Sequence, residues 1–354
     1  MDFISTLMVD TPSSLWTSII GFFESGIANF ALVIILLTIC IKLVMSPLDF
    51  LNKKVARDNS RMQAVIAPQM AKLQKQYGHD KNLLNQKTAE LYKSNGFSMG
   101  SSCIVMLTYL ILTIVIFFTL FSTLMGSTSY RIEKQYLDLR EAYVTTQGTT
   151  EEKQNAVLEL YDQRDSKFLW VQNVWFPDNP WTQSVPTFDE YLSLVGDKVK
   201  TDNSQTESTS LSALKAEDQS AYETFIADFR DEYNEVMLVV QTERGGVNGY
   251  LITALLAVGT AFLSQYLMQR KNLSRAQSEA VNNQPGMNKA MLIIMPVVMG
   301  LFTLFYNAVF GMYIIAGQLV SMISFPIFDK ILDKIDARKQ KQAEDKIKVD
   351  YSRK

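Results

Sequence analysis

The chain has 354 residues, a formal net charge of −2 and a mean hydropathy of +0.03, values that an ordinary soluble protein could have. Its long uncharged runs, however, exclude a wholly soluble protein. The single histidine, His79, cannot by itself supply a zinc site, a haem ligand cluster or a Ser-His-Asp triad. The sequence also has no Walker A pattern, so we expect no enzyme activity, no metal, no cofactor and no DNA partner.

Uncharged or nearly uncharged stretches predict five membrane-spanning helices, since each such helix needs about 20 apolar residues. The predicted spans are 29–50, 104–126, 247–268 and two more within 290–328. The last run is 39 residues long, and we expect a tight turn near Tyr306 and Asn307 to divide it. The sequence therefore predicts an all-α polytopic membrane protein.

The distribution of lysine and arginine predicts how these spans are oriented. Basic residues outnumber acids in 51–103 (nine to three), 269–289 (four to one) and the tail 329–354 (nine to six). The region 127–246 has eleven basic and twenty-two acidic residues, and residues 1–28 have three acids and no base. The positive-inside rule therefore predicts that the N-terminus lies outside and the C-terminus inside.

The segments between the spans have helical patterns. Apolar residues at helical spacing in 12–27 predict that 1–28 contains an external amphipathic helix at the membrane surface. The segment 51–103 predicts a cytoplasmic helical hairpin that turns at Gly78-His79-Asp80. Its basic side chains could form a solvated face, or could contact lipid headgroups, another protein or ribosomal RNA.

The acidic region 127–246 is predicted to be a mostly helical extracellular insertion. Helical patterning covers 130–165 and 217–243, whereas 201–210 is polar and predicts a flexible linker. Between them, the aromatic residues of 168–181 are expected to rest on the outer membrane interface.

Lys42 lies inside the first predicted span. It precedes Lys53 by eleven residues, roughly 16 Å of helix, which is farther than a lysine stem can snorkel. A central lysine opposes insertion by about 2.5–3.5 kcal/mol, so it should be solvated or paired. Thr38 and Ser46 share its helix face, and we expect no acidic side chain within the spans to neutralise it. Its candidate polar neighbours on other spans are Thr108, Tyr109, Thr260, Ser264, Gln265, Tyr313, Gln318 and Ser321.

Two interpretations of Lys42 follow from the residues alone. In one, the lysine snorkels to the inner interface beside hydrogen-bonded helices. In the other, it is the charge of a water-filled cavity that opens to the cytoplasm and serves either as an anion pathway or as a transient host for acidic polypeptide.

Several motifs resemble those of the YidC family of membrane protein insertases. In LLTICIKLVMSPLDF (36–50), Lys42 precedes Pro47-Leu48 by five positions, which is similar to the family's polar-stripe helix. The family usually has arginine at the position of Lys42, and its five-span members usually have a much shorter outer region. The other stretches that resemble the family are 62–103 for the hairpin, 168–180 for the segment before the third span, and 291–323 for the last two spans.

The resemblance implies an insertase of the bacterial cytoplasmic membrane, which works without ATP, alone or beside the Sec translocon. It implies five spans around a cytoplasm-open hydrophilic groove lined by Lys42, Thr38 and Tyr313. We add Ser46, which shares the polar stripe, and Gln318, a polar group of the fifth span. The implied substrates are hydrophobic segments with short acidic outer tails. The implied partners are nascent membrane proteins, the lipid bilayer, the Sec translocon and the ribosome.

Two other functions remain open at this point. An anion-selective transporter or channel could use Lys42 as its binding charge, although transporters usually contain inverted repeats and this sequence has none that is visible. A receptor or assembly factor could use the acidic region 127–246, although no residue there names a ligand.

Overall fold

The computed structural model describes residues 7–9, 14–94, 99–164, 166–196, 199–203, 207–276 and 285–351. These ranges contain eleven helices and three short strands, so the predicted helical fold class is confirmed. The helices are α1 (Leu15–Glu24), α2 (Phe30–Tyr77), α3 (Lys81–Ser94), α4 (Met99–Thr145), α5 (Thr150–Asp162), α6 (Phe188–Val195), α7 (Leu211–Glu217), α8 (Gln219–Arg244), α9 (Ile252–Ala276), α10 (Pro285–Phe305) and α11 (Ala308–Tyr351). The strands are β1 (Leu7–Val9), β2 (Val199–Asn203) and β3 (Glu207–Ser210).

Three helical segments of the described chain are long and apolar enough to cross a membrane: Phe30–Met62, Ile104–Thr145 and Ala308–Gln342. Two shorter apolar segments, Ile252–Leu267 and Ile293–Phe305, lie in α9 and α10. The five-span arrangement therefore stays a prediction. The tight turn near Tyr306 and Asn307 is confirmed, since α10 ends just before these residues and α11 begins just after them.

Two helices continue beyond the spans that the sequence predicts. Helix α2 joins the first span to the hairpin without interruption and carries Pro47 and Pro68 in its interior. It ends at Tyr77, and Asp80 then accepts hydrogen bonds from the backbone N–H groups of Asn82 (3.0 Å) and Leu83 (3.1 Å), which caps α3. Helix α4 likewise extends the second span into the acidic region.

The chain divides into two compact units. The first unit comprises 1–37, 117–255 and 301–313, and the second unit comprises 38–116, 256–300 and 314–354. The first unit has a helical core in which α5 and α6 pack against α8. Buried aromatic rings fill this core, with centroids 4.8–6.0 Å apart: Tyr136, Phe188, Tyr191, Phe229 and Tyr233.

Helices α5 and α6 begin in the same way, with a capping box. Thr149 and Glu152 at α5, and Thr187 and Glu190 at α6, exchange side-chain and backbone hydrogen bonds, so backbone donors that each first turn would leave free are satisfied. The predicted helical patterning of 130–165 and 217–243 is confirmed by the end of α4, by α5 and by α8.

The first unit also contains a small antiparallel sheet in the order β1-β2-β3. Thr201 pairs with Leu7 on one side and with Thr209 on the other. Most of 201–210 is therefore paired strand, and the prediction of a flexible linker there is wrong. Its polar composition suggested a linker, but β-branched residues such as Thr201 and Thr209 also favour extended pairing.

Candidate functional site: a polar stripe on the first long helix

A stripe of polar residues runs along α2 in the second unit. We call Thr38, Lys42, Ser46 and Asp49 the polar stripe; their spacing of four, four and three residues places them on one helix face. Thr38 is 1% exposed and Asp49 is 9% exposed, whereas Lys42 and Ser46 are half-buried. The stripe therefore faces protein.

The aliphatic stem of Lys42 lies beside the backbone of α11. A Cβ atom at Gly317 would be 3.5 Å from Cε of Lys42 and 3.7 Å from Cγ2 of Thr38, so both side chains lie within ordinary van der Waals distance of this position. The backbone oxygen of Gly317 accepts a hydrogen bond from the hydroxyl of Ser321 (2.9 Å), and the neighbouring Gln318 is half-buried. The structure therefore brings the α11 segment that contains Gln318 next to Lys42.

Asp49 gives Lys42 an acidic neighbour. The hydroxyl of Tyr109 on α4 hydrogen-bonds the Asp49 carboxylate, and this carboxylate interacts electrostatically with Lys42. Asp49 is therefore an acidic group on the face of Lys42 that the sequence analysis does not name, while the expectation that no acid neutralises Lys42 stays a prediction. Asp49 stands at the end of the predicted span, where it looks interfacial, but seven residues are about two helical turns, so it shares the face of Lys42.

After Asp49 in the sequence, basic residues on the same face of α2 form a row of ion pairs with α11. The ammonium of Lys53 contacts a carboxylate oxygen of Asp329 at 3.1 Å and the backbone oxygen of Phe325 at 3.1 Å. Residues 53, 57 and 61 of α2 repeat every four residues, and so meet acids spaced by four and three on α11. We call this row the charge ladder: Lys53–Asp329, Arg57–Asp333, Arg57–Asp336 and Arg61–Asp336.

Arg57 is the buried member of the charge ladder, with 4% of its surface exposed. Its Nη2 contacts both Asp333 and Asp336, the latter at 2.8 Å, while Nε and Nη1 have no acceptor among the described residues. Three of the nine basic residues in 51–103 are thus paired with acids of α11 in the same chain, rather than with solvent, lipid, RNA or another protein. The matching periodicity of the acids at 329, 333 and 336 was the signal that could have found it.

Tyr313, the remaining predicted groove residue, belongs to the first unit. Its ring centroid lies 6.1 Å from that of Phe310 and 6.4 Å from that of Phe117. Its grouping with Lys42 stays a prediction.

A second buried polar centre lies in the first unit, around the segment 168–181, which we call the outer clamp. Asp178 is fully buried and accepts hydrogen bonds from Nε1 of Trp170 (2.8 Å), from the backbone N–H groups of Tyr250 (2.7 Å) and Thr253 (2.6 Å), and from the hydroxyl of Thr253 (2.5 Å). It therefore satisfies free donors at the beginning of α9.

The outer clamp also binds the turn between α10 and α11. The backbone oxygen of Phe176 accepts from the N–H of Ala308 (3.0 Å), and the side-chain amide of Asn179 donates to the oxygen of Leu304 (3.1 Å). Only part of the clamp is at the surface, since Phe176 is 5% exposed and Trp181 is 61% exposed. The sequence indicated a surface segment and missed this tertiary role, because the partners are distant in the chain.

Comparisons with known proteins identify the family of the chain. The family model described as 60Kd inner membrane protein matches residues 22–335. A protein named membrane protein insertase YidC from Maridesulfovibrio salexigens is 37% identical over 103 residues, which cover 29% of this chain and 18% of the relative. Proteins of the same name from Nitratidesulfovibrio vulgaris and Fusobacterium nucleatum are 31% identical over 140 residues and 29% identical over 121 residues.

These two matches cover 35% and 34% of this chain, and 24% and 57% of the respective relatives. The matched part thus spans less than two thirds of each of the three relatives. The family model, in contrast, extends over most of the chain, and the described helices include three that are long and apolar enough to cross a membrane. The chain therefore belongs to the 60Kd inner membrane protein family, the family of the YidC proteins.

Proposed function

We propose that the protein is a membrane protein insertase and chaperone. It takes hydrophobic segments with short acidic outer tails into the bilayer through a hydrophilic groove that carries Lys42. Family membership supports the class of activity, since the relatives quoted above are named membrane protein insertases. Nascent membrane proteins are its substrates, and it works alone or with the Sec translocon.

The proposed topology has five spans, with the N-terminus outside and the C-terminus inside. Helices α9 and α10 have 25 and 21 residues, or about 37 and 31 Å, and a bilayer core of about 30 Å is within reach of both. In α1, Leu15 is 72% exposed and Phe22 is 75% exposed, which suits a helix that rests on the outer membrane surface.

Lys42 is the observation that carries the proposal. It is a half-buried lysine within an apolar helix, its stem lies beside Gly317, and the other members of its face are polar. Such a charge is costly in hydrocarbon and is retained where water or a ligand can reach it. In the proposed groove, Thr38, Ser46, Gln318 and Tyr313 lie with Lys42 along the path of the substrate.

The mechanism needs no covalent step and no nucleotide. Hydrated groove walls shorten the apolar distance that a hydrophilic tail must cross, and Lys42 attracts the acidic residues of that tail. The hydrophobic segment then moves sideways into lipid, since its transfer out of water is favourable. Helix α4 supplies an apolar surface for that exit, because only 6% of its most apolar 18-residue stretch is buried.

The cytoplasmic segments receive the substrate in this proposal. The hairpin formed by the lower part of α2 and by α3 meets it first, and the basic residues of the tail bring the ribosome near. Lys53, Arg57 and Arg61 are not counted among these free charges, since the charge ladder engages them.

Reconstitution in liposomes tests the proposal. The substrate is a small single-span protein with an acidic outer tail, and its insertion is measured by protease protection of that tail. Lys42→Arg should retain insertion because it keeps the charge, whereas Lys42→Ala and Lys42→Glu should lower it at least about threefold. Lys134→Ala, which removes an exposed lysine of α4, is the matched control and should insert normally.

Two results would reject the proposal. Normal insertion of the acidic tail by Lys42→Glu would remove the electrostatic role of the groove. Anion flux through the parent protein, with no insertion of any substrate, would favour a channel that uses Lys42 as its binding charge.

A further inference from the structure

Asp49 occupies a position that the proposed mechanism does not use. It is the acid of the polar stripe, only 9% exposed, and lies on the same α2 face as Lys42, about two turns away. The hydroxyl of Tyr109 on α4 donates a hydrogen bond to its carboxylate. This bond and the surrounding protein hold the carboxylate in the interior, so it cannot simply turn out into solvent.

Two cations of α2 flank Asp49. Lys53, four residues away, has its ammonium on Asp329 and on the backbone oxygen of Phe325, and lies 4.9 Å from the centre of the Phe325 ring. Lys42 has no such ladder partner among the described residues, and it is the cation whose electrostatic interaction with Asp49 is resolved. Asp49 shares the helix face of Lys42, and its negative charge therefore lowers the positive potential around Lys42.

This arrangement changes the charge that a substrate meets. An isolated Lys42 would present one positive charge in a poorly hydrated groove and would strongly favour carboxylate-bearing tails. With Asp49 fixed on the same face, Lys42 and Asp49 together carry no net charge. A carboxylate that approaches Lys42 then gains less, because Asp49 repels it while Lys42 attracts it.

We propose that Asp49 is a positioning residue that acts through Lys42 and sets the charge selectivity of the groove. An acidic group of the substrate tail competes with Asp49 for Lys42, so the parent protein accepts neutral tails and prefers acidic ones only moderately. The inference rests on the proposed insertase function. It deepens that function by naming the substrate class: tails whose charge ranges from neutral to acidic, rather than strictly acidic tails.

The test uses three substrates in the same liposome assay. They are identical single-span proteins except at one outer-tail position, which is aspartate, asparagine or lysine. The readout is the ratio of initial insertion rates between tails, measured for the parent and for the variants Asp49→Asn, Lys42→Ala and Lys42→Ala/Asp49→Asn. Asp228→Asn, which removes an exposed acid of α8 outside the groove and the hairpin, is the matched control.

Asp49→Asn should raise the aspartate-to-asparagine ratio about three- to tenfold, the range expected for removal of one charge about 10 Å away in a partly hydrated site. Lys42→Ala leaves Asp49 alone, and should reverse the preference so that the lysine tail inserts faster than the aspartate tail. In the Lys42→Ala background, Asp49→Asn should no longer raise the aspartate ratio above that of the parent. Asp49→Glu should keep the parent ratio, and Asp228→Asn should not change it.

The inference is overturned if Asp49→Asn lowers all three rates in proportion, which would indicate a structural role, or if Lys42→Ala, with Asp49 in place, does not reverse the preference. If Asp49→Asn does not fold, Asp49→Ser removes the same charge, and the aspartate-to-asparagine ratio of that variant tests the inference instead. A parent protein that inserts no tail at all rejects the proposed function itself. A parent that inserts every tail, with a ratio that is insensitive to Asp49, rejects only this inference.

Discussion

Two buried carboxylates, one in each unit, have opposite surroundings. Asp178 in the first unit accepts four hydrogen bonds of 2.5–2.8 Å, all from uncharged donors of the fold. Asp49 in the second unit has the hydroxyl of Tyr109 and, on its own helix face, the ammonium-bearing Lys42. A carboxylate whose acceptor positions are filled by fixed donors is a structural cap. A carboxylate on the same helix face as a lysine can change the charge that this lysine presents to a ligand.

The donors around Asp178 explain why we regard this residue as structural. The N–H and hydroxyl of Thr253 and the N–H of Tyr250 belong to the entry of α9, where Asp178 also lies in the favourable field of a helix N-terminus. Removing Asp178 would leave these donors without their acceptor in the interior. Removing the charge of Asp49 would affect one donor only among the described residues, the hydroxyl of Tyr109.

Asp178→Ala tests the structural half of this comparison and should have the largest effect on stability. Several buried donors lose their acceptor, and each costs about 1–3 kcal/mol, so a loss of about 3 kcal/mol or more is expected. Tryptophan fluorescence during unfolding in detergent is the measurement. It reports the first unit alone, because that unit contains every tryptophan of the chain: Trp16, Trp170, Trp175 and Trp181.

The matched control for Asp178→Ala is Asp189→Ala. Asp189 bonds Arg230 through both oxygens (2.7 and 3.2 Å), but the pair is exposed and should contribute less than about 1 kcal/mol. Equal losses in the two variants would contradict the assignment of Asp178 as a structural cap.

The contrast between the two carboxylates also explains what could be predicted from sequence. Helical periodicity and the cost of a buried charge singled out Lys42 together with Thr38 and Ser46, because these signals lie within a few residues of one helix. Asp49 obeys the same periodicity, but it stands at the end of the first predicted span, and the sequence does not show that it is buried there.

The hydrogen-bond donors that surround Asp178 could not be predicted from the sequence. Thr253 lies 75 residues away in sequence, and only the tertiary fold brings it to the outer clamp. The charge ladder was an intermediate case. Its acids and bases have matching periods on α2 and α11, but nothing in the sequence says that these two helices are neighbours.

Arg57→Ala tests whether the second unit also contains a purely structural polar group. It leaves Asp333 and Asp336 without a largely buried cation, and should destabilise the protein by about 1–3 kcal/mol. Hydrogen exchange of the α11 backbone is the measurement, and faster exchange near these two acids is expected.

Arg61→Ala is the control for the ladder. The side chain of Arg61 is 37% exposed against 5% for Arg57, so its pair with Asp336 should contribute less than about 1 kcal/mol. If the α11 backbone exchanges hydrogen equally fast in Arg57→Ala and in Arg61→Ala, the burial of Arg57 does not strengthen the charge ladder.

Helix α11 has one glycine in each unit, Gly311 and Gly317, and alanine substitutions at the two positions test how tightly each unit is packed there. A Cβ atom at Gly311 in the first unit would overlap the methyl group of the buried Thr253, so Gly311→Ala should cost about 1–3 kcal/mol. A Cβ atom at Gly317 in the second unit would make ordinary contacts with Lys42 and Thr38. Gly317→Ala should therefore be neutral or slightly stabilising, since alanine favours helix.

Thermal unfolding of both glycine variants, followed by circular dichroism, decides this prediction. Insertion of a neutral-tailed substrate should be normal in Gly317→Ala. A lower unfolding midpoint for Gly317→Ala than for Gly311→Ala would mean that the stripe beside Lys42 is more tightly packed than the first unit.

The smallest effect concerns the pH dependence of the first unit. Arg244 bonds both oxygens of Asp162 (2.8 and 2.7 Å) and lowers the pKa of that carboxyl from its ordinary value of 3.8. The backbone N–H and hydroxyl of Thr149 likewise lower the pKa of Glu152 from 4.5. Because both folded-state pKa values are depressed, their stabilisation is present in full above the ordinary values and is lost as the pH falls through the lowered ones.

Tryptophan-detected unfolding midpoints should therefore decline as the pH falls below about 4.5. Arg244→Gln should remove the share of this decline that belongs to Asp162, and the share of Glu152 should remain. The change is small, because both carboxyls are solvent-exposed and ion pairs there are screened by salt. An Arg244→Gln variant with a steeper acid decline than the parent would reverse the sign that the hydrogen-bonded geometry requires, and would reject Arg244 as the cation that stabilises ionised Asp162.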